Sequence, residues 1–265
     1  MIRARIITAA LVGGVLVPVV LWLPTPIAAA VLGALWVVGA WEWAGLARLA
    51  DGARLVYAGL CAASMAALFF FADAMAARLV LGVALLGWLL AFAAVLRYPR
   101  KFGMGTVAAA GFVALVPSWL LLARLHGRAP LGHELAMTVL AIVWAADIGA
   151  YVFGRAFGRI KLAPAVSPGK TWEGVGGGVA AATAAAWLAA IWVGLPAGAL
   201  VATGIATALV SVVGDLAVSV FKRNVGLKDT GTLLPGHGGV MDRIDSLTAA
   251  VPIFVLGLML AGIAP

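Results

Sequence analysis

The sequence has one cysteine, three histidines, three tyrosines and ten acidic residues in 265, and charged side chains make up only 11% of it. A single thiol, Cys61, excludes an intrachain disulfide framework, and its place inside an apolar run fits a small packing residue. His126 and His133 lack the cysteine and carboxylate partners of a zinc centre. The scarcity of charge excludes a soluble domain, which carries about a quarter charged residues, and equally excludes disorder. What abounds is apolar: 65% of residues, with a mean hydropathy of +1.13. Roughly 172 apolar residues, at about 20 per span, are enough for about eight or nine membrane-crossing helices.

The net charge of +8 and isoelectric point near 10.4 do not imply nucleic acid. The basic residues sit in twos to fours at the ends of apolar runs, the pattern of topology signals.

Apolar stretches of spanning length fall at 6–23, 27–47, 55–72, 79–96, 105–125, 135–153, 174–195, 199–221 and 247–264. Strand alternation is absent, and only helices or closed barrels satisfy the backbone in lipid, so the fold is expected to be all-α, a single polytopic membrane domain over 1–265. About five spans lie in 1–134 and about four in 135–265, the half that carries the chemistry. The opening, with Arg3, Arg5 and Ala28–Ala30, resembles a secretory signal, but its apolar core is too long and runs on into another span. Nine spans sort the 18 Lys and Arg into 15 on one side and only Arg78, Arg124 and Arg128 on the other. By the positive-inside rule the N-terminus is expected to be cytoplasmic.

Eight of the ten acidic residues fall in cytoplasmic segments or near the cytoplasmic ends of spans; only Asp73 and Glu134 lie outside. Asp147 and Asp215 each sit seven residues from a cytoplasmic boundary, about 10 Å down a helix. A carboxylate there is costly and as a rule faces a polar cavity. Ser211, Asp215, Ser219 and Lys222 form a stripe on one helix face, and Asp147, Tyr151 and Arg155 form another, so a wet crevice open to the cytoplasm is expected.

Two cytoplasmic loops, 154–173 and 222–246, enter its mouth. In the second, Gly236, Gly238 and Gly239 around His237 suit a phosphate nest. Asp242 and Asp245 point the same way as the ninth helix begins, and with Asp215 these hard oxygen ligands could hold a two-metal Mg²⁺ site. In the first loop, Gly169-Lys170-Thr171 looks like the end of a P-loop, but the first glycine of that motif would fall on Pro164 and no strand precedes it. What remains is a Ser/Lys/Thr/Glu cluster able to grip phosphate or a nucleotide, followed by Gly174–Gly178, which permit close helix packing. Asp51-Gly52-Ala53-Arg54 has the wrong internal spacing for a CDP-alcohol phosphotransferase signature. Trp41-Glu42-Trp43 reads most simply as an interfacial aromatic belt with Glu42 near the headgroups.

The run Ser219-Val220-Phe221-Lys222-Arg223, Lys228-Asp229-Thr230-Gly231 and Leu234 through Asp245 resembles, over 27 positions, the signature of the phosphatidate cytidylyltransferase (CDP-diacylglycerol synthase) family. Ser167-Pro168, Lys170-Thr171 and Glu173-Gly174 are similar to the family's upstream motif. The resemblance implies cytidylyl transfer from CTP to phosphatidate, giving CDP-diacylglycerol and pyrophosphate, with Mg²⁺, at the cytoplasmic face of the inner membrane and in a homodimer. It agrees with the residues: Asp215, Asp242 and Asp245 for metal, and Asp229 as a further ligand or the orienter of Lys228. Lys222, Arg223, Lys228 and Arg243 would hold substrate phosphates, and His237 with its glycines the pyrophosphate. Ser167, Lys170, Thr171 and Glu173 would meet the nucleotide, while Asp147, Tyr151 and Ser219 line the crevice. The alternative, an ion-coupled transporter, requires paired broken helices and a midplane site.

Overall fold

The computed structural model describes residues 13–231, 233 and 238–263. Its helices are α1 (Gly13–Trp22), α2 (Thr25–Leu46), α3 (Asp51–Phe71), α4 (Ala74–Leu96), α5 (Met104–His126), α6 (Gly132–Phe157), α7 (Trp172–Val193), α8 (Ala197–Asn224) and α9 (Met241–Leu260). The last eight are long and apolar enough to cross a membrane, which makes this an integral membrane protein. The first expected span is a ten-residue helix within the described residues, and its positions 6–12 lie outside them.

Helices α3 and α4 turn Leu55, Phe70, Phe71, Leu79, Leu89 and Leu90 outward. Exposed apolar surface on this scale suits lipid rather than water. The inner helices are locked by tryptophans whose indole N–H groups must find acceptors once buried. Trp36 donates to Ser118 Oγ at 3.0 Å, Trp43 to the Val107 carbonyl at 2.7 Å, Trp119 to that of Ala29 at 3.1 Å and Trp88 to that of Thr248 at 3.1 Å. These bonds tie α2 to α5 and α4 to α9. At the end of α8, Asn224 clamps the α4–α5 linker, accepting from the Phe102 N–H at 2.9 Å and donating to its carbonyl at 3.0 Å.

The expected close packing of the glycine run is present at three positions. A Cβ at Gly174 or Gly178 would lie 2.9 or 2.8 Å from the Ala150 or Ala146 carbonyl oxygen, and one at Gly177 would collide with Phe153, so α7 lies directly against α6. Two readings need correction. The segment 154–173 is not simply a loop: α6 continues to Phe157, and Lys161–Ala163 (β1) pairs antiparallel with Ser167–Thr171 (β2). Its buried tip residue Val166 packs on Leu216 and Val220 of α8, which anchors the hairpin over that helix. The aromatic-belt reading of Trp41-Glu42-Trp43 fails outright, because Glu42 and Trp43 are 5% and 1% exposed.

Candidate active site

The ends of α6 and α8, the starts of α7 and α9, and strand β2 enclose a cavity of about 560 Å³. Each wall has a local reason. Thr171 accepts from the Gly174 N–H at 3.1 Å and so starts α7 where β2 ends, holding Lys170 over the cavity. Lys170 Nζ lies 2.6 Å from Asp215 Oδ2, and Ser219 donates to Asp215 Oδ1 at 3.3 Å, one turn further along α8. Lys222, the next member of that stripe, donates to Asp242 Oδ1 of α9 at 2.8 Å; the two side chains are 10% and 6% exposed.

Asp242 also closes the loop before α9. Its Oδ2 accepts from the Thr230 and Gly239 N–H groups at 2.9 and 3.0 Å. Gly238 takes a left-handed φ of 78°, and a Cβ there would lie 2.8 Å from Asp242 Oδ2, so a side chain is excluded on both counts. Asp245 is buried on the same helix, accepts from the Ser246 N–H at 2.7 Å, and feels the charges of Asp215, Asp147 and Lys222.

Asp147, Tyr151, Ser167, Lys170, Thr171, Asp215, Lys222, Asp229, Asp242, Arg243 and Asp245 therefore share one cavity, as the two helix stripes implied. Other expected site residues stand apart from it. Arg223 braces the hairpin and the following turn, donating to the Val166 carbonyl at 3.3 Å and that of Leu227 at 3.1 Å. Glu173 is half-buried and accepts from the Ile160 N–H at 3.1 Å, fixing the start of the hairpin. Ser219 reaches the cavity only through Asp215, and Lys228 is exposed outside its wall. Gly238 and Gly239 shape the loop behind Asp242, while Gly236 and His237 lie outside the described residues. Arg155 donates to the Tyr151 hydroxyl at 2.9 Å at the exposed rim.

No three His, Cys, Asp or Glu converge as a ready-made metal cage among the described residues. In particular the Asp242 carboxylate is already engaged by Lys222 and two backbone donors. Yet the cavity wall carries five carboxylates against three cations, a formal charge of −2. Such a wall repels a polyphosphate unless cations enter with it. Mg²⁺ is commonly held by one or two carboxylates and completed by water and substrate phosphates, so Asp245, together with Asp215 once Lys170 turns from it to a phosphate, fits it without a preformed cage.

The residue that sequence reasoning missed is Glu42. It accepts from Thr230 Oγ1 at 3.0 Å and from the Val240 and Met241 N–H groups at 3.0 and 2.7 Å. A charge on α2 thus caps the first turn of α9 and ties down the loop that carries Asp229 and Gly239. Its signal was present: an acid inside a spanning helix, the argument already applied to Asp215.

A larger apolar cavity of about 650 Å³ lies between α4, α5 and α8, lined by Trp43, Trp88, Val113 and Phe221, and carries no charged side chain. The charged cavity opens among helix ends, not at a midplane break. It gathers five carboxylates, two lysines and an arginine at the helix ends of an integral membrane protein.

The model of the Cytidylyltransferase family matches residues 3–261, and the chain belongs to that family. It is similar to the phosphatidate cytidylyltransferase of Pseudomonas aeruginosa, 45% identical over 99% of this chain and 98% of the relative. The phosphatidate cytidylyltransferase of Haemophilus influenzae is 39% identical, covering 96% and 97% of the two chains. That of Brucella suis is 46% identical over 64% of each.

Proposed function

We propose that this chain transfers the cytidylyl group of CTP to phosphatidate, releasing CDP-diacylglycerol and pyrophosphate. The observation that carries this reading is the pair of ion-paired lysines, Lys170 and Lys222, facing one carboxylate-rich cavity where membrane helices end. Phosphatidate keeps its phosphate at the interface and its tails in lipid, while CTP arrives from water, so a crevice at a helix-end boundary serves both. The names of the two relatives that match nearly full length support the substrate pair.

A phosphatidate oxygen attacks the α-phosphorus of CTP; that P–O bond forms as the bond to the β-phosphate oxygen breaks, and pyrophosphate carries away the bonding electrons. No protein nucleophile is required. The protein orients two mutually repelling anions and neutralises charge as it shifts. In this reading Lys222 and Arg243 hold phosphates inside the cavity, and Lys170, Ser167 and Thr171 meet the nucleotide from the hairpin side. Asp242 aims Lys222 rather than ligating metal. Asp215 and Asp245 would hold Mg²⁺, which when bound neutralises the phosphates of CTP. Asp229 lines the mouth, Lys228 would meet a substrate phosphate, and His237 with Gly236 would meet the pyrophosphate. The enzyme sits in the inner membrane with this cavity toward the cytoplasm, and works as a homodimer.

Purified protein in detergent, given labelled CTP and phosphatidate, is expected to form labelled CDP-diacylglycerol only with Mg²⁺; no product under any divalent cation would overturn the reading. Mg²⁺ is also expected to raise the melting temperature by mass action, and Asp215→Asn to abolish most of that rise together with activity. If Asp215 served only to pair with Lys170, the variant would melt lower with and without metal, and the increment would survive.

Orientation follows from the 15-to-3 division of basic residues. A cysteine introduced at Lys161 or Asp229 is expected to react with an impermeant reagent only from the cytoplasmic side, and one at Arg128 only from the other. Labelling of both loops from one side would refute this topology.

A further inference from the structure

Arg78, Arg124 and Arg128, the three basic residues on the sparsely charged side of the chain, come from sequence positions up to fifty apart yet line one pocket of about 210 Å³. It lies between α4, α5 and α9. Along α9, Asp245 faces the catalytic cavity and Met259 lines this pocket, 14 residues or about 21 Å away, so the two are at opposite ends of the bundle.

The rest of the wall is Ala74, Ala77, Leu81, Leu121, Leu125, Val255 and Met259, with no carboxylate. Arg124 spends one terminal nitrogen on the Leu68 and Ala72 carbonyls at the end of α3, but its Nε is buried without a hydrogen-bond partner among the described residues. The side chains of Arg78 and Arg128 make no hydrogen bond or ion pair among the described residues, where the ion pairs Arg54–Asp51, Lys170–Asp215 and Lys222–Asp242 lie elsewhere. Three arginines bordering one small pocket whose wall carries no carboxylate, against the topological bias, leave positive charge there that an anion would neutralise. Guanidinium matches the oxygens of phosphate, and the apolar remainder of the wall matches acyl chains rather than a hydrated solute.

We propose that this pocket binds the headgroup phosphate of an anionic phospholipid at the bundle end opposite the catalytic cavity, as a site separate from that cavity. Basic pockets between membrane helices are suited to such headgroups. The arginines supply charge and orientation, and Val255, Met259 and Leu81 supply the contact for the upper part of a chain.

The test is native mass spectrometry of the whole chain released from detergent with phosphatidylglycerol, phosphatidylcholine or inorganic phosphate added. Arg78 and Arg128 are the positions to change, because Arg124 also caps α3. Wild type is expected to retain one more phosphatidylglycerol per chain than R78Q/R128Q, with no such difference for phosphatidylcholine, and the variant to keep wild-type cytidylyl transfer. Equal phosphatidylglycerol retention overturns the proposal. So does an equal loss of phosphatidylcholine, which would make the effect independent of headgroup charge. Displacement of the extra lipid by millimolar inorganic phosphate would assign the pocket to a soluble anion and overturn it as well. A variant that turns monomeric with unchanged lipid per chain would assign the arginines to a subunit contact and also overturn it.

Discussion

Asp242→Asn is expected to lower cytidylyl transfer at least about a hundredfold and to destabilise the fold by about 3 kcal/mol, because it strands a buried ammonium. Lys222 is buried among helix ends, and Asp242 Oδ1 is its 2.8 Å partner. Removing one member of a buried pair leaves the other desolvated and uncompensated, which costs more than the pair itself contributes. The asparagine still offers an oxygen to the Thr230 or Gly239 N–H, so the loop is not simply released. Lys222→Met combined with Asp242→Asn is therefore expected to recover most of the lost stability while remaining inactive, since the charge over the cavity is gone. Melting curves and transfer assays on the three variants separate the two effects. Wild-type turnover and melting in Asp242→Asn alone would remove the pair from the site.

Glu42→Gln is expected to cost about 2–3 kcal/mol and to reduce transfer by about tenfold or more, although the residue is not part of the wall of the charged cavity. Its carboxylate takes hydrogen bonds from Thr230, Val240 and Met241. An amide nitrogen in place of one oxygen would face donors with a donor. A Cβ at Gly239 would collide with the same carboxylate and with Thr230 Oγ1, so loop and glutamate fit each other closely. The loop around 228–240 should then become cleavable by protease under conditions where wild type resists, while Trp41→Phe, on the neighbouring half-buried tryptophan, leaves cleavage unchanged. An unaltered cleavage pattern in Glu42→Gln would show that the loop is held by other contacts.

Much of the architecture could be read from the chain alone. Bilayer thickness sets the length of a spanning helix, and a residue's place in an apolar run is a one-dimensional property, so eight of the nine expected spans match helices, the last of which begins six residues before its expected start. The polar stripes on α6 and α8 were legible because helical periodicity converts spacing into a face. The hairpin was not: five residues of Ser-Pro-Gly-Lys-Thr have no strand alternation, and pairing arises because Val166 finds a buried seat on α8. The division of labour among the charged residues was equally illegible. Arg223 and Asp242 belong to the same dense motif, yet one turns to backbone carbonyls away from the cavity and the other takes a lysine in it.

Sequence by itself determined that this is an all-helical membrane protein and which helix faces carry its polar groups. These follow from solvent and periodicity, which act locally along the chain. Tertiary structure alone decided which ion pairs form, that Glu42 of α2 holds the start of α9 across almost two hundred residues, and that three scattered arginines meet in one pocket. Those are matters of distance between elements remote in sequence. Only the packing of helix against helix sets them, and no spacing along a single helix encodes them.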